Sequence, residues 1–106
     1  MTPIRSGEAV RVRGGEKDGR PGVVLRVMEQ GARVLVFVPW GTGTLRAEMK
    51  QVEVRPRTAA GTALQVEKPT YFYARNVTRC DAANVHRLGV LCPPSLLVEL
   101  QALFGL

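Results

Sequence analysis

The segment Gly7-Glu8-Ala9-Val10-Arg11-Val12-Arg13 sets apolar and basic residues in alternation from Ala9 onward, the period of a strand with one buried face. Turn chemistry follows without a break in Gly14-Gly15-Glu16-Lys17-Asp18-Gly19-Arg20-Pro21-Gly22. Glycine takes positive φ without a Cβ clash, and Pro21 removes a ladder donor. Val23-Val24-Leu25-Arg26-Val27-Met28 then resumes an apolar run. Beyond it, Glu29-Gln30-Gly31-Ala32 reads as a tight connection and Arg33–Val38 as a third strand. Pro39-Trp40-Gly41-Thr42-Gly43-Thr44 reads as a turn, Leu45–Met49 as a fourth strand and Gln51–Arg55 as a fifth. Five short strands with no helix-length pattern between them predict a small closed barrel over residues 7–57. Val10, Val12, Val24, Val34, Val36, Val52 and Val54 are expected to face inward.

The second half changes character. Residues 58–69 are rich in Thr, Ala and Gly and read as a linker, with a short strand at Ala63–Val66. Thr70–Arg75, with Tyr71-Phe72-Tyr73, is an aromatic strand candidate. Asp81 is placed to cap a helix over Ala82–Leu88, with Gly89 at its C′ position. Pro93 and Pro94 announce a second helix, in whose first turn proline is permitted. Leu96, Leu97, Leu100, Leu103 and Phe104 fall on one face of it. The fold class expected is therefore mainly β: a barrel over 1–57, a linker over 58–69, and a strand plus two-helix C-terminal extension over 70–106. The leucine stripe is too apolar to face water. It is expected to cover the barrel, to pack on the Tyr71–Tyr73 segment, or to bind another chain, a homodimer included.

The chain of 106 residues carries a net charge of +6. Residues 1–57 hold eleven Lys or Arg against six acids, and the rest hold four against three. The basic half favours an anionic partner, nucleic acid or an acidic protein surface. Arg11, Arg13, Lys17, Arg20, Arg26 and Arg33 are expected to share one such face. Trp40, between Pro39 and Gly41, is expected either to offer a stacking ring beside them or to plug one end of the barrel.

The glycine spacing resembles the KOW motif of NusG-type transcription factors and several ribosomal proteins. Gly7-Glu8 supplies the opening pair, Val10 and Val12 the alternating apolar residues, and Gly15, Gly19, Gly22 and Val24 the remainder. The resemblance implies an SH3-like barrel that contacts nucleic acid, RNA rather than DNA, with basic residues at the tip of the loop. The motif usually has Lys immediately before its middle Gly. Here Asp18 stands there, which leaves Lys17 and Arg20 as the candidates. Plasmid-type dihydrofolate reductase and the barrel of nitrile hydratase subunits open in a similar way, so a small oligomeric enzyme is a third reading.

Catalytic and metal signatures are not legible. The single histidine, His86, supports no Ser–His–Asp set, and no phosphate-binding or dinucleotide loop occurs. Cys80, His86 and Cys92 lack the close cysteine pair of a zinc site and would need Asp81 or a second chain to complete one. They read as two buried thiols and a surface histidine. No catalytic residue, metal or cofactor is expected. The N-terminus has no apolar run of a signal peptide and nothing approaches a bilayer span, so a cytoplasmic location is expected. The leading expectation is a nucleic-acid-binding module associated with transcription or translation. A protein-interaction adaptor, docking through the barrel or the C-terminal helix, is the second.

Overall fold

The computed structural model describes residues 2–106. Strand occupies 41% of the chain and helix 21%, which makes the fold mainly β. In chain order the elements are β1 (Glu8–Arg11), β2 (Pro21–Val23), β3 (Arg26–Gln30), β4 (Arg33–Thr42), β5 (Val52–Val54), α1 (Ala59–Leu64), β6 (Thr70–Asp81), β7 (His86–Leu91) and α2 (Pro94–Leu103). Short 3-10 turns occupy Gly15–Lys17 and Ala82–Asn84. The strands form one curled antiparallel sheet in the order β5-β6-β4-β2-β1-β7, with β3 joined to β4 beside β2. Strands from both sides of residue 57 thus share one sheet.

The β1–β2 hairpin follows its glycines. Gly15 and Gly19 take φ of 62° and 80°. The Val12 and Arg20 backbones close the loop, with Val12 N–H donating to the Arg20 carbonyl at 3.0 Å and Gly19 N–H to the Val12 carbonyl at 2.8 Å. Asp18, in the place where the motif has Lys, accepts the Gly14 N–H at 2.9 Å and braces the loop from within. Gly22 is required for space: a Cβ there would lie 2.8 Å from Val38 Cγ1 and 3.0 Å from the Pro39 carbonyl oxygen.

Both faces of the sheet are covered, because successive strand residues point to opposite sides. One core holds Ala9, Val23, Leu25, Val52, Val54, Leu64, Phe72, Cys92, Leu96 and Leu100. The other holds Val10, Val12, Val24, Val36, Val38 and Val85, with Ile4, Val27, Trp40, Cys80 and Ala82 against it. The seven valines expected inward therefore do not share one interior. Four join the second core, Val52 and Val54 join the first, and Val34 is half-buried. The reason is topological: β5 pairs only with β6, so it never closes a barrel with β1.

Three local expectations are corrected. Pro39 does not end its strand. β4 runs on to Thr42 because β6 bulges opposite, with Pro39 facing Val77 and Gly41 facing Phe72, and a bulge is where a sheet tolerates proline. Residues 45–49 are irregular rather than a strand, held by the buried Tyr73. Its hydroxyl donates to the Thr44 carbonyl at 2.8 Å and accepts the Arg46 N–H at 2.6 Å. Ala63–Val66 is not a strand. The expected linker holds α1, whose N-cap Thr58 accepts the Gly61 N–H at 3.0 Å.

The helix expected over Ala82–Leu88 is likewise corrected. Asp81 does cap, accepting the Ala83 N–H at 3.0 Å, but it starts only a 3-10 turn. The chain then extends as β7 along β1, and Gly89, at φ 81°, lies within the register shift of that pair. The second helix forms where expected. Leu96 and Leu100 are buried against the chain's own sheet, and Leu97, Leu103 and Phe104 pack beside them. The Phe104 ring meets Phe37 edge-on, centroids 5.5 Å apart.

The seat of α1 supports a prediction with an unusual sign. Alanine in place of a mid-helix glycine ordinarily stabilises by about 1 kcal/mol. A Cβ on Gly61 would instead land on the Arg55 carbonyl, 3.0 Å from Pro56 Cα, both of them backbone. G61A is expected to destabilise by about 1–3 kcal/mol, measured by urea unfolding. A stabilised variant would show that α1 sits further from residues 55–56.

Candidate nucleic-acid interface

The end of β1, the Gly19-Arg20-Pro21 end of the glycine loop, Gly41-Thr42-Gly43 at the end of β4, and the Gln65–Thr70 connection into β6 surround an open cleft of about 790 Å³. The chain approaches it from four separate places, and each brings something specific. Arg11 arrives at the last position of β1 and is held in a fork. Its Nη2 donates to the Leu64 and Gln65 carbonyls, both at 2.8 Å, and its Nη1 lies 3.4 Å from the Gly19 carbonyl. The Leu64 and Gln65 carbonyls end α1, where a cation is favoured. They fix the guanidinium without a carboxylate to cancel its charge. Arg20 is exposed on the loop, and Lys68 reaches past Gly43.

The electrostatics of the cleft are simple. Arg11, Arg20 and Lys68 line it against a single acid, Glu67. Among the described residues, the ion pairs are Arg33–Asp81, Arg55–Glu53 and Arg87–Glu8, so none of the three cleft cations is matched to a carboxylate. Gln65 turns the chain into the cleft at φ 56°. A left-handed conformation costs a residue with a Cβ more than it costs glycine. Chemically, the arrangement offers fixed and mobile positive charge in an open trough with polar walls. Such a surface suits a chain of phosphates better than a small apolar ligand.

The other candidate residues scatter. Arg13 and Arg33 line a second depression that shares no lining residue with the cleft, and Arg33 is paired with Asp81 at 3.6 Å. Arg11 and Arg13 were expected on the same side, but β1 ends at Arg11 and the two line different depressions. Arg26 is exposed at the start of β3, and Lys17 lies half-buried in the 3-10 turn of the loop, neither in the cleft. Trp40 sits in β4 opposite Gly22 and packs on the second core, its indole N–H buried without a partner among the described residues. The six cations and Trp40 therefore do not gather in one cleft. Lys68 and Gln65 were not legible as site residues, because nothing in their local spacing distinguishes them; the β4–β6 pairing brings them to the loop.

Cys80 and Cys92 belong to different cores, and His86 is exposed at the start of β7. Burial raises the Cys80 thiol above its ordinary pKa, with the Lys17 charge opposing. Burial also raises Cys92, against backbone hydrogen bonds that lower it. No group of three or more His, Cys, Asp or Glu converges on a metal-sized site among the described residues. No helix among them is long and apolar enough to cross a membrane. Comparison of the chain with family models, with curated proteins and with solved structures gave no match.

Proposed function

We propose that the protein is a KOW-type, SH3-like module that binds nucleic acid, RNA in preference to DNA, in the service of transcription or translation. The observation that carries this reading is the cleft itself: Arg11, Arg20 and Lys68, unmatched by carboxylates, gathered where the glycine-rich loop ends. The fold reading that accompanies it differs from a barrel over 7–57. Five strand segments, β7, β1, the β2–β3 run, β4 and β6, are neighbours in the sheet, and all but β7 supply side chains to the second core, with β5 and α1 as an insertion and α2 as an outer cover. In this reading the two cations from the loop hairpin and Lys68 from the insertion share one phosphate-binding edge.

The test is fluorescence anisotropy with single-stranded and duplex RNA and DNA. Three phosphate contacts give a log–log salt slope of about −2 to −3, a loss of roughly 20- to 40-fold between about 50 and 200 mM salt. Arg20→Ala combined with Lys68→Ala is expected to weaken binding to every sequence and to reduce the slope by about 1.4–1.8. Both residues are exposed, so the fold should be retained. Binding that ignores salt, or that is unchanged in the double variant, would contradict the reading.

A further inference from the structure

The Arg11 guanidinium ties together the two segments that carry the other cleft cations. Its Nη2 spends both hydrogens on backbone, donating to the Leu64 and Gln65 carbonyls at 2.8 Å each, and its Nη1 lies 3.4 Å from the Gly19 carbonyl. A helix leaves its last carbonyls without intrahelical donors, so Arg11 supplies to the end of α1 what the helix itself cannot. Its partners stand 8 residues away on the loop side and 53 and 54 residues away on the α1 side. Among the described residues, no hydrogen bond joins residues 14–20 directly to residues 59–69, and Arg11 is the side chain that bridges them.

Arg20 follows Gly19 directly, and Lys68 stands three residues after Gln65. The backbone under Lys68 is fixed from both sides. Gln65 holds its left-handed turn at φ 56°, and the buried Thr70 donates its hydroxyl to the Lys68 carbonyl at 3.1 Å. The Arg20 and Lys68 side chains are exposed, yet the segments beneath them are held to each other by one guanidinium. Two groups already set at a fixed separation bind one ligand at a lower ordering cost than two that must first be brought into place. We infer that Arg11 is a positioning residue of the cleft, setting Arg20 and Lys68 at the separation that one run of nucleic-acid phosphates can meet. The inference rests on the phosphate-binding reading of the cleft. Lysine at position 11 would keep the charge, but a point charge on a flexible stem does not reproduce the planar fork that reaches three carbonyls.

The experiment measures binding of a uridine decamer to the full chain and to Arg11→Lys, across a salt series and well below each protein's unfolding midpoint. Arg11→Lys is expected to bind about three- to tenfold more weakly with the log–log salt slope of the wild type, because no charge has been removed. A role in folding alone would leave affinity unmoved at that temperature. In the ligand-free variant the Arg20 and Val66 amides, bonded to the Lys17 and Gly61 carbonyls, are expected to exchange with solvent faster than in the wild type. A measurement on the wild type needs no variant: the Arg11 Nη hydrogens should give separate, slowly rotating signals before and after the decamer is added. Wild-type affinity in Arg11→Lys, a weakening that comes with a shallower slope, or a single averaged Nη signal would overturn the inference while leaving the cleft as the binding site. A wild-type protein that does not bind the decamer would overturn the reading of the cleft and the inference with it.

Discussion

Removing the partner of the buried Glu8 carboxylate, as in Arg87→Ala, is expected to cost about 3–5 kcal/mol of folding stability. Glu8 is 6% exposed and is held in a bidentate pair, with Arg87 Nε at 2.8 Å from Oε1 and Nη2 at 3.0 Å from Oε2. Its Oε2 also accepts the Arg5 N–H at 2.7 Å, and Arg87 Nη1 donates to the Thr2 carbonyl at 2.7 Å. The pair therefore ties β1 to β7 and to the N-terminal segment, across nearly the full length of the chain. Losing Arg87 leaves the buried Glu8 carboxylate without its partner, which is far costlier than losing both; losing Glu8 strands the half-buried Arg87 and the Arg5 N–H. A domain of this size is stable by only about 5–15 kcal/mol, so the single variant approaches the limit of folding. Urea unfolding at constant pH should show Glu8→Ala and Arg87→Ala each strongly destabilised. The double variant Glu8→Leu with Arg87→Met should be less destabilised than either. Single losses below about 1 kcal/mol would mean that the pair behaves like a surface ion pair, and that β7 is held to β1 mainly by its backbone ladder.

Leu100→Ala is the second large effect, expected at about 2–5 kcal/mol. Leu100 has no exposure and lies in the core that α2 makes with the sheet, together with Leu96 and Phe72. Val98, on the same helix, is 62% exposed, and Val98→Ala should change stability by no more than about 0.5 kcal/mol. The contrast tests whether the leucine stripe is covered within the chain. If α2 is seated as described, Leu100→Ala lowers the unfolding midpoint at every protein concentration and leaves the sedimentation behaviour unchanged. If the stripe served an interface between chains instead, the variant would fall to a folded monomer with little loss of intrinsic stability.

What the sequence conveyed and what it hid follow from the same physics. The strands around Val10, Val24 and Val36 were legible because alternation is a local signal. Strand β4 past Pro39 was not, since proline ends most strands and the accommodating bulge lies in β6, more than thirty residues away. The β7 segment reads as a helix in sequence because Asp81 and Gly89 carry the residue types of a helix start and stop. Here they serve a 3-10 turn and a register shift. α1 was too short to show a period, although Thr58 was a readable cap. The same division applies to the cleft. Arg11 and Arg20 followed from the glycine loop, while Lys68 joins them only through tertiary pairing. The shift of Val52 and Val54 to the helix side has the same origin: alternation gives a face, and only topology says which core that face meets.

The placement of the nucleic-acid surface is the central claim, and it is open to one direct measurement. Titration of the isotope-labelled protein with a uridine decamer at low salt should shift the backbone amides of Gly19, Arg20, Gly41–Gly43 and Gln65–Lys68, with the Arg11 guanidinium signal moving in step. Shifts confined to Arg26, Arg33 and the second depression, with the cleft amides unmoved, would contradict it.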